Sequence, residues 1–138
     1  METTLAIIKP DAVRRGFIGD IIRLIQSSHL HIRGMRMVHL TRAEAERFYE
    51  VHKARPFFNS LCSYMTSGPV VALALQGEGA IVKWRDLMGA TDPAKASPGT
   101  IRKEYGIDVE QNAAHGSDAV ATAAHEVPFF FSSLDLVD

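Results

Sequence analysis

The longest uninterrupted apolar run, "PVVALAL" at 69–75, is the length of one strand and far too short to span a bilayer. The core must therefore come from short elements. "TLAIIKP" is a second short apolar run, stopped by Pro10, and reads as a buried strand. "IGDIIRLIQSSHL" sets Ile18, Ile21, Ile22 and Ile25 at helical spacing. "HIRGMRMVHLT" alternates imperfectly around Gly34 and predicts a strand bulged at the glycine. "TRAEAERFYEVH" opens with Thr41 and Glu44 at capping-box spacing. "RPFFNSLCSYMTSG" predicts a short helix ending near Gly68, and "GAIVKWRDLMG" another ended by Gly89. "ATDPAKASPGT" is turn-rich and predicts a long surface loop. "VEQNAAHG" predicts a last strand, and "SDAVATAAHEV" a last helix with Ser117 or Asp118 as its cap. The resulting order, β-α-β-α-α-β-α-loop-β-α, suits an α/β (α+β) ferredoxin-like fold: a four-stranded antiparallel sheet with helices on one face. A small parallel sheet has the same element order. With 138 residues the chain is expected to form one domain, 1–138.

Net charge is −1, from 15 basic and 16 acidic residues, which argues against a general binder of nucleic acid or membrane surfaces. The single Cys62 makes no intrachain disulfide, and the N-terminal apolar run is too short for a signal-peptide core, so a cytoplasmic location is expected. The charge is unevenly spread. All 15 Lys and Arg lie at or before Lys103, whereas His115 sits beyond them in "NAAHGSDA". If His115 handles an anion, its cations must be brought from earlier in the chain. No Walker loop, dinucleotide fingerprint, H-E-x-x-H, C-x-x-C or G-x-S-x-G is present. "HLH" at 29–31 reads as a turn rather than a metal site.

"NAAHGSD", taken with "TLAIIKPDAV", "RPFF", "GPVVALAL", "LMGATDPAKASPGTIR" and "HEVPFFF", resembles the nucleoside diphosphate kinase family over nearly the whole chain, from about Leu5 to Phe131. The resemblance implies transfer of the γ-phosphoryl group of a nucleoside triphosphate to a nucleoside diphosphate, carried in two half-reactions on His115. A neutral imidazole, with an unperturbed pKa of about 6.5, is a competent nucleophile near neutral pH. The small neighbours Ala113, Ala114 and Gly116 are expected to leave room for a phosphate. The family's histidine is oriented by a glutamate, a role that falls to Glu126. A regular helix from Ser117 to Glu126 would hold its ends roughly 13 Å apart, so the segment must double back for the pair to meet.

The resemblance further implies Lys9, Arg85 and Arg102 around the phosphates, Thr91 as a hydroxyl donor and Tyr49 as a phenol near the transferred group. Phe57 and Val109 would sandwich the base, and Lys9 and Asn112 would meet the sugar. Stacking alone tolerates any base. A phosphate contact is the alternative for His52, which is kept as a surface histidine. Mg²⁺ is expected to be held by nucleotide phosphates rather than by a protein cage, with no metal ligands on the chain. Family members assemble as tetramers or hexamers built from dimers, so a homo-oligomer is expected. Trp84 and His125 depart from the residues usual at those places. The competing reading is a non-catalytic nucleotide- or RNA-binding domain on the same fold, which binds without turnover.

Overall fold

Leu5, Ala6, Ile7 and Ile8 are apolar at consecutive positions, and in the computed structural model, which describes residues 1–138, all are fully buried. Successive side chains of a strand point to opposite faces, so a strand of this kind needs cover on both. Strand β1 (Glu2–Ile8) pairs antiparallel with β3 (Val70–Gly77) on one edge and with β4 (Ala114–Gly116) on the other. Strand β2 (His31–Val38) adds antiparallel to β3, giving the order β2-β3-β1-β4. The four-stranded antiparallel sheet is as expected, and the parallel alternative is excluded.

The helices are α1 (Pro10–Arg14), α2 (Ile18–Ser27), α3 (Arg42–Phe48), α4 (Phe58–Met65), α5 (Ala80–Met88), α6 (Ile101–Tyr105) and α7 (Val120–Phe130). They lie on both faces, not one. Leu5, Ile7, Ala72 and Ala74 pack with Ala45, Phe58, Met65, Val127 and Phe130 from α3, α4 and α7. Ala6, Ile8, Leu73 and Leu75 pack with Ile21, Ile25, Trp84, Met88 and Ile101 from α2, α5 and α6. The unbroken apolar runs of β1 and β3 are the physical reason, because alternating strands would have left one face to water. Each Leu or Ile so buried contributes roughly 1.5–3 kcal/mol.

Local signals acted where they were placed. The register of β2 against β3 shifts between Ile32 and Gly34, the expected bulge. Thr41 and Glu44 form the capping box of α3, with Glu44 N–H donating to Thr41 Oγ1 at 3.2 Å and Thr41 N–H to Glu44 Oε1 at 2.8 Å. Two short helices were not anticipated. Pro10, which ends β1, also starts α1, where its missing N–H costs nothing. Thr100 caps α6 by accepting from Lys103 N–H.

The last strand is much shorter than "VEQNAAHG" suggested. Asp108 Oδ1 accepts from the N–H groups of both Glu110 and Gln111, which folds that stretch into a turn, and Ala113 has a left-handed φ of 73°. The last helix begins at Val120, and Ser117 is not its cap. The Thr122 hydroxyl instead accepts from the N–H groups of Asp118 and Ala119.

Removing the α3 cap with Thr41→Ala is expected to lower unfolding free energy by about 1 kcal/mol. A denaturant titration reads this directly, and an unchanged midpoint would sink the capping account.

Candidate active site

Lys9 follows β1 directly, so its backbone is held by the sheet while its side chain clears the sheet's end. Its N–H donates to Ala113 O at 2.9 Å, and its Nζ to Asn112 Oδ1 at 2.8 Å and Glu110 O at 3.3 Å. A cavity of about 210 Å³ opens there, lined by Lys9, Tyr49, His52, Leu61, Arg85, Thr91, Arg102, His115, Gly116 and Asp118. The cations absent around His115 in the sequence are thus gathered around it by β1, α5 and α6.

His115 sits in the middle of β4, opposite Ile7 of β1. Its Nε2 lies 2.9 Å from Glu126 Oε1, which also accepts from Ser117 Oγ at 2.9 Å. Ser117 is still tied to β1, donating its N–H to Leu5 O and accepting Leu5 N–H on its hydroxyl. The chain reverses only after it, and α7 then carries Glu126 back alongside His115. Starting the helix at Val120 removes the separation that a helix from Ser117 would impose. An ionised carboxylate only accepts, so Nε2 carries the proton and Nδ1 keeps the lone pair. Burial pushes the Glu126 carboxyl up, but the hydrogen bond and charge of His115 and the Ser117 hydroxyl outweigh it, leaving the pKa below its ordinary value. The Phe48 ring meets the imidazole edge-on, with centroids 5.7 Å apart.

Two of the cations are buried. Lys9 and Arg102 are each 8 % exposed, and no carboxylate lies within ion-pair distance of either. Arg102 donates to Gly89 O and Ala114 O, while its Nε has no partner. Burial and the Arg85 charge lower its pKa to about 10, so it stays cationic at neutral pH. Burial, with Arg102 adding to it, lowers Lys9 to about 8. The buried Tyr49 hydroxyl also lacks a partner, and burial first and Glu126 second push its pKa up, so it is a donor. Arg85 pairs with Asp118 at 2.8 Å, but both groups are largely exposed. Such a pair contributes little and exchanges readily for a stronger anion. Orphaned donors and unpaired buried cations around one cavity are complementary to a polyanion.

Thr91 lines the cavity, and its carbonyl accepts from Asn112 Nδ2 at 3.0 Å. Asn112 is buried and lies off the cavity wall, bridging Lys9 to the Thr91 loop. Phe57 and Val109 stand 48 % and 57 % exposed on segments joined by a Ser60–Glu110 hydrogen bond of 2.8 Å. His52 was taken as a surface residue but lines the cavity and lies 5.5 Å from the Phe57 ring. Ala113 and Ala114, just before and at the start of β4, do not make room for a ligand, being fully buried in the core. Gly116 does line the cavity, and a Cβ there would meet Trp84 and Met88 at 2.6 Å. Ser117 and Asp118 were the functional neighbours sequence reasoning underweighted, although both lie in "HGSD". No cluster of three metal-ligating side chains occurs, and no helix is long and apolar enough to cross a membrane.

Residues 2–136 match the family described as Nucleoside diphosphate kinase. The chain is 59% identical over 137 residues to a nucleoside diphosphate kinase of Trichlorobacter lovleyi, covering 99% of each. It is 53% identical over 137 residues to that of Geobacter sulfurreducens, covering 99% of this chain and all of the relative. Among solved structures, the Aquifex aeolicus nucleoside diphosphate kinase superposes with a TM-score of 0.95 at 44% identity, covering 99% of both chains. A halophilic nucleoside diphosphate kinase from Halobacterium salinarum in complex with CDP gives 0.95 at 41% identity, covering 99% of this chain and 91% of that one.

The depressed Lys9 pKa fixes a sign. Between about pH 8 and 10.5 the unfolded chain holds the proton that folded Lys9 has lost, so this group makes stability rise with pH across that window. An anion in the cavity favours charged Lys9 and pulls the proton back. Sulfate, which exchanges no proton in this range, is therefore expected to draw protons from solution on binding at pH 8. Calorimetry in two buffers of different ionisation enthalpy measures the uptake, and equal heats in both would contradict it.

Proposed function

The chain belongs to the nucleoside diphosphate kinase family, and on that premise we propose that it moves the γ-phosphoryl group between nucleotides by a ping-pong route through His115. The observation that carries the route is the Glu126 bond to Nε2, which leaves the Nδ1 lone pair free on a histidine that lines the cationic cavity. In the first half-reaction Nδ1 attacks the γ-phosphorus. The bond from that phosphorus to the β,γ-bridging oxygen breaks, its electron pair stays on the oxygen, and the nucleoside diphosphate leaves. The imidazole gains positive charge as the P–N bond forms, and Glu126 stabilises it while holding the Nε2 proton. The second half-reaction is the reverse, with a different diphosphate as acceptor. A single site serves both halves because the reacting groups are the same.

Lys9, Arg85 and Arg102 are assigned to the phosphate oxygens, with Thr91 and Tyr49 as neutral donors. Catalysis of this kind is mainly positioning and electrostatics. Arg85 exchanges Asp118 for phosphate. Asn112, off the cavity wall, acts by steering the Lys9 amine toward the sugar side. Phe57 and Val109 bracket the base, and no base-edge donor is assigned, so purines and pyrimidines are both accepted. For Mg²⁺ the donor set suits a nucleotide-borne ion: among the cavity's many basic groups Asp118 is the one carboxylate available to its water shell. When bound, the ion neutralises charge on the phosphates. The chain works as one domain in a cytoplasmic homo-oligomer, a tetramer or hexamer built from dimers.

Incubation with γ-labelled ATP and Mg²⁺ is expected to leave protein-bound label that survives alkali but not acid, and to pass it to an added diphosphate. His115→Ala should carry none, and equal labelling of that variant would overturn the assignment. Glu126→Gln keeps the shape but loses the charge. It is expected to slow labelling by about 10- to 100-fold with little change in KM. Phe57→Ala should weaken ADP, GDP, CDP and TDP by a similar factor, and a loss confined to one base in steady-state KM values would refute stacking.

A further inference from the structure

Two residues before His115 the backbone takes a conformation that L-residues avoid. Ala113 has φ of 73°, and the N–H of Ala114 donates to the carbonyl of Asn112 at 2.9 Å. A hydrogen bond closed over three residues around a positive φ is the rare γ-turn, which is strained and persists only where its surroundings over-determine it. No glycine supplies the freedom here, so something else must hold it.

Asp11 does. It is 1 % exposed, and its Oδ2 accepts the N–H of Ala113 at 3.1 Å. Its other oxygen, Oδ1, accepts from the Tyr64 hydroxyl, and that hydroxyl in turn accepts Asp11 N–H at 3.0 Å. Burial and the Asp11 hydrogen bond hold the Tyr64 proton firmly, so it remains a donor at any working pH. From the other side Lys9 N–H holds the carbonyl of the same Ala113. We infer that the buried Asp11–Tyr64 pair is a positioning device that locks the γ-turn at Ala113 and so sets His115 against Lys9. The turn separates two jobs. Asn112, before it, reaches Lys9 Nζ and Thr91, whereas Ala114, after it, begins β4. If the turn relaxes to negative φ, the start of β4 moves and both ends of the site lose register. Neither Asp11 nor Tyr64 lines the cavity, so they act through the backbone and not on the substrate.

The inference rests on His115 as the nucleophile, and the test keeps the two apart. Unmodified protein is first labelled with γ-labelled ATP in a single turnover. Tyr64→Phe, which deletes only the hydroxyl, is then expected to label about tenfold more slowly with nucleotide KM within about twofold, the pattern of misplacement rather than lost binding. Glycine adopts φ > 0 without steric cost, so Ala113→Gly needs no clamp. The double variant Tyr64→Phe/Ala113→Gly is therefore expected to label within about threefold of Ala113→Gly alone. Asp11→Asn with and without Ala113→Gly repeats the test should Tyr64→Phe fail to fold. A general structural role predicts that the loss carries over undiminished into the double variant, and that result would overturn the inference, as would wild-type labelling by Tyr64→Phe. No label on the unmodified protein would overturn the nucleophile reading, and the clamp with it. Labelled protein with unaffected variants would overturn the clamp alone.

Discussion

A strand with apolar layers above and below and partners on both edges cannot shift without disturbing every layer at once. β1 is in that position, with Leu5 to Ile8 fully buried between β3 and β4. The reacting groups are attached to this fixed strand. Lys9 is its next residue, His115 is opposite Ile7, and Ser117 is bonded twice to Leu5. The helices then bring the remaining groups to the same end: Arg85 on α5, Arg102 on α6, Tyr49 capping α3 and Glu126 on α7. An interior packed at crystal-like density transmits little slack, so distances set along β1 hold at the cavity.

That rigidity has an electrostatic cost. Burying Lys9 and Arg102 without carboxylate partners disfavours their charged forms, as the lowered pKa values of about 8 and about 10 express. A folded protein tolerates this where the core compensates elsewhere, and cavity-side strain of this kind is ordinary at functional sites. The arrangement favours an anion over water: desolvated donors at fixed positions need no reorganisation when phosphate charge arrives. Arg85, by contrast, is more exposed and paired, and supplies a cation that can move.

Much of the fold was legible because its signals were local. Gly34 marked a bulge and Thr41–Glu44 a cap, each decided within a few residues. The failures were matters of what lies across space. The unbroken runs at Leu5–Ile8 and Val70–Leu75 already implied cover on both faces, but the helical segments gave no sign of how they divided between them. Ser117 and Asp118 have the composition of a helix cap, and Ser117 was drawn instead into the sheet by Leu5. His115 was legible through its motif. The meeting of His115 with Glu126 was legible only through the resemblance, because spacing alone does not say where the helix starts. Asp11 carried no signal in the sequence, since its partners Tyr64 and Ala113 are far away along the chain.

Trp84 shows how one bulky residue is accommodated by its neighbours. It is fully buried, and its indole N–H donates to the carbonyl of His115 at 3.0 Å. A buried indole needs such an acceptor. The ring lies so close to Gly116 that no side chain fits between them. The glycine after the histidine therefore borders the cavity and, lacking a side chain, admits the Trp84 ring against β4. The bulky residue on α5 thus braces β4 from the face opposite the Phe48 contact. It adds a hydrogen bond to the nucleophile's own backbone, and the large ring takes up the space that the glycine leaves.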